Sequence, residues 1–250
     1  MRLSSRMKFR PSAARRIVHV QGVVSRSPGG CTTYDCESEG GTKDLRKLYS
    51  SSMAGETEHA KGADGTWLAK RWLERTTRAQ VRWEQPDPIA VRKLTFDRPG
   101  GTFSFDIGGS LVGGEVDSQD FFAEVKKYKD AQDQPALFRQ FLAKCFRAYD
   151  QRPERCDNFM WITWAPFNST DWSKLDKPEK LESCVRENWK YNFTTQEEAQ
   201  AADLSGNIVK EVAQRIWILV LSDKQVDHLS MSDRHLSVIA EYETLERAKR

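Results

Sequence analysis

Residues 159–164, FMWITW, restrict the folds open to this chain more than any other stretch. Five of the six side chains are bulky and apolar. Successive side chains of a strand point to opposite faces, so a strand of this composition needs a covering layer on both sides of its sheet. Residues 216–221, IWILVL, read as a second buried strand of the same kind. Residues 135–149, PALFRQFLAKCFRAY, form an amphipathic helix that can supply one covering layer. Pro135 suits its first turn, and Leu137, Phe138, Phe141, Leu142, Cys145, Phe146 and Tyr149 line one face. Arg139, Lys144 and Arg147 fall off that face.

From residue 65 the pattern is helical, with Trp67, Leu68, Arg71, Trp72 and Arg75 at helical spacing and Asp64 or Thr66 as the cap. The prolines of residues 84–88 break this helix. A strand over 89–96, a turn over 97–101 and a strand ending near Asp106 follow. Gly108/Gly109 and Gly113/Gly114 read as turns leading to a strand over 121–128. These three strands suggest an antiparallel meander, with the 135–149 helix crossing to the fourth strand. Further helices begin near Pro178 and Ser205, and a last one covers 232–250, with Leu236, Ile239, Tyr242 and Leu245 on one side. The order predicts an α/β fold over 61–250, a mixed central β-sheet flanked by helices, with 171–250 as a C-terminal helical elaboration.

Residues 1–60 form a basic extension predicted to carry little structure, 17–24 being its one strand-like stretch. Seven of the 39 Lys and Arg lie in residues 1–34 without an acid among them; this leaves 32 basic against 36 acidic residues, a net of −4, for the rest. Three readings of the extension stay open: a disordered arm for nucleic acid, an organelle transit peptide, or an appendage to a compact protein that begins near Met53. The acidic balance of the remainder means that nucleic-acid affinity there has to come from local patches. The five cysteines form no zinc-ligand pattern, and their odd number points to reduced thiols and a cytoplasmic setting. No apolar run approaches the ~18–20 residues that span a bilayer.

Chemistry concentrates in residues 103–128. On a strand over 121–128, Phe122, Glu124 and Lys126 share a face, and an acid beside a lysine among Phe121, Phe122 and Val125 is costly to bury without a purpose. A hard divalent cation such as Mg²⁺, or Mn²⁺, takes oxygen ligands. Asp106 and Glu124 can supply two of them from neighbouring strands, with the Val125 backbone carbonyl as a third. Lys126 can then stabilise an attacking hydroxide or the crowded phosphate. A bland reading competes: the triplet arises by chance in a charge-rich chain, and Glu124–Lys126 is a surface ion pair worth at most ~1 kcal/mol.

Asp106 followed by Glu124-x-Lys126 resembles the PD-(D/E)xK nuclease superfamily, the restriction-endonuclease-like fold, over residues 62–165. The resemblance implies a metal-dependent phosphodiester hydrolase acting on DNA more readily than RNA, in restriction, antiphage defence or DNA repair. It implies Asp106, Glu124 and Lys126 as catalytic residues and Asp106, Glu124 and the Val125 carbonyl as metal ligands. Many members add an acid from the helix before the sheet; Glu74 is the candidate, with Glu56 or Glu58 as alternates. Lys127, Arg139, Lys144 and Arg147 are candidates for nucleic-acid contacts, and Trp164, Phe167 and Trp172 for base stacking. Gln140 is followed at the Gln-x-x-x-Tyr spacing by Lys144, so the exonuclease branch is not matched. Small nucleases often act with a helicase or sensor subunit, or as homo-oligomers, and no membrane partner is expected. The alternative function is a catalytically inactive nucleic-acid-binding or assembly subunit of the same fold.

Overall fold

The computed structural model describes residues 64–128, 133–204 and 206–249. The features expected within residues 1–60, including Cys31, Cys36, Glu56, Glu58 and His59, lie outside them. Helix α1 covers residues 64–76. Strand β1 (Ala79–Glu84), helix α2 (Pro88–Leu94) and strands β2 (Thr95–Arg98), β3 (Gly101–Ser104), β4 (Ile107–Leu111) and β5 (Asp120–Lys126) follow. Helix α3 (Gln134–Gln151) leads to β6 (Asn158–Thr163). The chain continues through α4 (Pro178–Glu187), α5 (Gln196–Ala201), α6 (Asn207–Gln214), β7 (Ile216–Val220), α7 (Asp223–Leu229) and α8 (Asp233–Ala248).

The fold is α/β, with a five-stranded mixed sheet in the order β1-β4-β5-β6-β7. β4 runs antiparallel to both β1 and β5, and β5, β6 and β7 are mutually parallel. Residue alternation on β5 divides the core in two. Phe122 joins Phe105, Phe141, Phe159 and Trp161 in the cluster shared with α3, α4 and α6. Phe121, Ala123 and Val125 join Ile107, Met160 and Ile162 in the cluster beneath Ala69 and Leu73 of α1. All six residues of β6 are buried, as FMWITW requires. Each large side chain so buried contributes roughly 1.5–3 kcal/mol.

Five expectations are corrected. The first helix stops at residue 76, well before the prolines of 84–88, and Ala79–Glu84 is strand β1. Residues 88–94 are helical: Asp87 caps α2 by accepting from the amides of Ile89 (2.7 Å) and Ala90 (3.5 Å), Pro88 opens it, and Ala90 and Leu94 bury one side. The strand before Asp106 belongs to a separate β2–β3 ribbon, which sends Phe96 and Phe103 into the core, so the antiparallel meander is β1-β4-β5. Gly108 and Gly109 lie inside β4 and form no turn; Gly113 and Gly114, at φ +77° and +70°, do turn the chain. β7 is an edge strand only partly buried, with Trp217 41% exposed.

Asp87→Ala removes the α2 cap and is expected to cost about 1 kcal/mol, read from urea unfolding midpoints at constant slope.

Basic residues of α1 pin the C-terminal helices. Arg75 donates to the Met231 carbonyl (3.0 Å) and pairs with Asp233 (2.5 Å), and Arg71 lies 3.9 Å from Asp227. The apolar side of α8 forms as expected, and Ile239, Tyr242 and Leu245 on it are exposed. Among the described residues no helix is long and apolar enough to cross a membrane.

Candidate active site

The β4–β5 hairpin brings Asp106, Glu124 and Lys126 together. Asp106 sits at the bend that enters β4, and backbone bonds fix it from both sides. Its amide donates to the Ala123 carbonyl (3.0 Å), and its carbonyl accepts from the Gln85 amide (3.2 Å). The Gln85 side-chain amide donates to the Phe105 carbonyl (3.0 Å), which stiffens the residue just before. In the ladder Ile107 stands opposite Ala123, so Asp106 comes level with Glu124.

One carboxylate oxygen of Asp106, Oδ2, accepts from the Val125 amide at 2.7 Å and lies 3.4 Å from Lys126 Nζ. Lys126 Nζ lies 2.9 Å from Glu124 Oε1. A single ammonium thus bridges the two carboxylates. An antiparallel ladder sends a residue's N–H and C=O to the same edge, so the Val125 carbonyl leaves β5 on the Asp106 side. Two carboxylate oxygens therefore face a point that already holds a cationic group, and oxygen donors of this kind are those a hard divalent cation takes.

Lys144 was expected away from the buried face of its helix. It instead reaches Glu124, at 3.1 Å from Oε1 and 3.3 Å from Oε2. Phe141, one turn earlier, packs against Phe105 and Trp161 and brings this side of α3 down onto the sheet. The i, i+3 spacing from Phe141 was the available signal.

Burial separates the two carboxylates. The Asp106 side chain is 33% exposed, whereas that of Glu124 is 9% exposed. Burial and then the neighbouring Glu124 charge raise the Asp106 pKa, and Lys126, the Val125 amide and Lys144 only partly offset them. Burial also pushes Glu124 upward, but the charges and hydrogen bonds of Lys126 and Lys144 outweigh it and hold the group below 4.5. Burial lowers Lys126, and Glu124 and Asp106 reverse this, leaving the ammonium raised above 10.5. The proton affinities of two adjacent carboxylates are thus driven apart, as happens at catalytic sites and also in structural ion-pair networks.

This asymmetry predicts opposite pH effects. The folded state binds the Asp106 proton more tightly than the unfolded chain does, so ionised Asp106 costs stability as pH rises from its ordinary 3.8 through the raised value. Asp106→Asn is therefore expected to gain in melting temperature over the parent, by more at pH 7 than near pH 4. An advantage that shrinks with rising pH would contradict this. Glu124 behaves in the reverse sense, its stabilisation being lost as pH falls below 4.5.

The other expected site residues lie elsewhere. Glu74 acts on Lys70, which pairs with Glu84 at 3.0 Å; no hydrogen bond or ion pair among the described residues joins Glu74 to Asp106, Glu124 or Lys126. Glu84, opposite Ile107 in the ladder, is the acid that sequence reasoning passed over, and it turns to α1. Lys127 pairs with Asp64 (2.7 Å) and Asp223 (3.4 Å) and lies over the Trp164 ring. Arg139 pairs with Glu187 (3.1 Å), and Arg147 donates to the Asp97 carbonyl (3.1 Å). Of the four proposed nucleic-acid contacts, only Lys144 reaches the carboxylates. Phe167 packs against Phe138 and Trp161 in the core, with Trp172 against it.

Cys145, Cys156 and Cys184 are free and buried. Burial pushes the Cys156 thiol up to about 12 and that of Cys184 up to about 11, so neither is a nucleophile at neutral pH. Among the described residues no group of three or more His, Cys, Asp and Glu converges as a metal site; Asp106 and Glu124 form a pair.

The class these observations define is an α/β protein whose mixed sheet carries a carboxylate–lysine cluster at the end of its central hairpin. No family profile, curated protein or solved structure matches the chain.

Proposed function

We propose that the protein is a Mg²⁺-dependent nuclease that hydrolyses phosphodiester bonds, with DNA as the favoured substrate. The observation that carries this reading is the convergence of Asp106, Glu124 and Lys126, joined through one ammonium, at the end of two antiparallel strands. The order α1, β4, β5, α3, β6 adds support, because the PD-(D/E)xK resemblance implies a helix before the sheet, a central hairpin that carries the motif, a helix packed across it and then a hydrophobic strand.

Asp106, Glu124 and the Val125 carbonyl would hold the cation, which when bound would act as a Lewis acid and offset charge developing on the phosphate. Lys126, released from the carboxylates, positions the water and stabilises the added negative charge on phosphorus. Water oxygen joins phosphorus, the P–O bond to the leaving sugar oxygen breaks, and that oxygen takes one water proton, leaving a phosphate monoester and a hydroxyl.

The test is incubation of the purified protein with plasmid DNA and with labelled RNA. Cleavage is expected with Mg²⁺ or Mn²⁺ and none with EDTA. Cutting that persists in both Glu124→Gln and Lys126→Ala would overturn the assignment.

A second reading, a nucleic-acid-binding or assembly subunit without turnover, is favoured by one observation. Glu124 is nearly sealed and both its oxygens contact lysines. Such a protein binds DNA in a salt-dependent way and cuts nothing with any divalent cation.

A further inference from the structure

Two carboxylates and two ammonium groups make up this cluster, so its formal charge is zero before any ligand arrives. Lys126 is part of the three-residue motif, whereas Lys144 comes from α3 and lies outside it. A metal site with two acids and one lysine would carry a net negative charge and draw a divalent cation unaided. Lys144 cancels that attraction. At hydrogen-bond distance from both oxygens of Glu124, its charge acts on any cation that Glu124 holds, and little solvent intervenes, since its side chain is 14% exposed.

We propose that Lys144 makes cation binding at Asp106 and Glu124 depend on the phosphodiester: the protein alone binds a divalent cation weakly, and the negative charge of the nucleic acid restores the affinity. The inference rests on the nuclease reading and extends it to the order in which the site fills. Coupling of this kind is reciprocal, so the cation tightens nucleic-acid binding by the same factor. It also keeps the site from loading metal, and so from doing chemistry, until a phosphate is in place. Lys144 is here a positioning and charge-setting residue; it need not touch the scissile bond.

The test uses isothermal titration calorimetry with Ca²⁺, which takes the same oxygen ligands, on the full chain with and without a short DNA duplex. The wild type is expected to bind Ca²⁺ at least about tenfold more tightly with the duplex present. Lys144→Gln, without the duplex, is expected to bind Ca²⁺ at least about tenfold more tightly than the wild type, and its gain from the duplex should shrink. Lys144→Arg keeps the charge and should retain the wild-type coupling. If Lys144→Gln does not fold, Lys144→Met makes the same comparison. A neutral variant with wild-type Ca²⁺ affinity and wild-type coupling overturns the inference. Plasmid cleavage by the wild type in Mg²⁺ is read in parallel: cutting with unchanged Ca²⁺ behaviour in the variant defeats the Lys144 role alone. A wild type that neither cuts nor binds Ca²⁺ defeats the nuclease reading and this inference with it.

Discussion

Glu124→Gln is expected to lower Mg²⁺-dependent DNA cleavage by at least about a hundredfold while leaving the fold in place. The substitution keeps the volume of the side chain, and its remaining carbonyl oxygen can still accept from Lys126 or Lys144. It removes the charge that a divalent cation requires from the more deeply placed of the two carboxylates. Glu124→Ala would be a poorer probe of chemistry because it also attacks stability. Lys126 and Lys144 both lie within hydrogen-bonding distance of Glu124, with side chains 14% exposed. Deleting their common partner leaves the largely buried Lys144 ammonium uncompensated and Lys126 with Asp106 alone, at a cost of about 3–5 kcal/mol. Cleavage assays and thermal melts on the two variants separate these effects. Glu124→Gln, which keeps the shape and one acceptor but not the charge, should lose activity with a moderate fall in melting temperature, and Glu124→Ala should lose activity with a larger fall.

Gly109→Ala is expected to destabilise the protein by about 3 kcal/mol or more, the largest effect of adding one methyl group in the sheet. A Cβ at this position would stand 1.9 Å from the Gln80 carbonyl oxygen, with the Gln80 carbonyl carbon and the Arg82 amide also within contact. All three are backbone atoms of β1, so no rotamer change relieves the overlap. The register of β1 against β4 shifts between Val81 and Trp83, just where the two strands come this close. The strands must move apart, and the β1–β4 pairing that positions Gln85 against Asp106 moves with them. Denaturant unfolding should show a lowered midpoint. Gly108→Ala should be milder, since one of its nearest atoms is the end of the Leu94 side chain, although the Phe121 carbonyl oxygen also stands at 2.9 Å. Equal melting temperatures for Gly109→Ala and the parent would show that the strands tolerate separation at this point.

Sequence periodicity found the elements whose apolar pattern has one physical explanation. Phe159 to Thr163 of FMWITW is buried in β6, with Trp164 just past the strand and partly buried, and the apolar stripe of 135–149 is the buried face of α3. The pattern was less informative where short segments carry both signals. Pro88 to Leu94 has the β-branched residues of a strand, yet Asp87 and Pro88 together start a helix, and Ala90 and Leu94 sit one turn apart on its buried side. The glycine pair of β4 was mistaken for a turn because glycine permits turns. Here the missing Cβ atoms make room for a neighbouring strand and for the Trp83 and Leu94 side chains. β1 was missed altogether, and the bulge at Arg82 breaks the simple alternation that would have revealed it.

By itself the sequence determined the α/β class, the buried strand β6 and the pairing of Glu124 with Lys126 on one face of β5, because strand alternation and the cost of burying charge act locally and leave their trace in spacing. Only the tertiary structure decided what these two residues and Asp106 meet. Lys144, twenty positions from Glu124, arrives because Phe141 packs α3 onto the sheet, and Glu74 stays with Lys70 because α1 covers the other side. Packing between layers depends on which faces meet, and no local pattern contains that. The stretch that carries the candidate chemistry was legible in one dimension; the charge balance that governs it exists only in three.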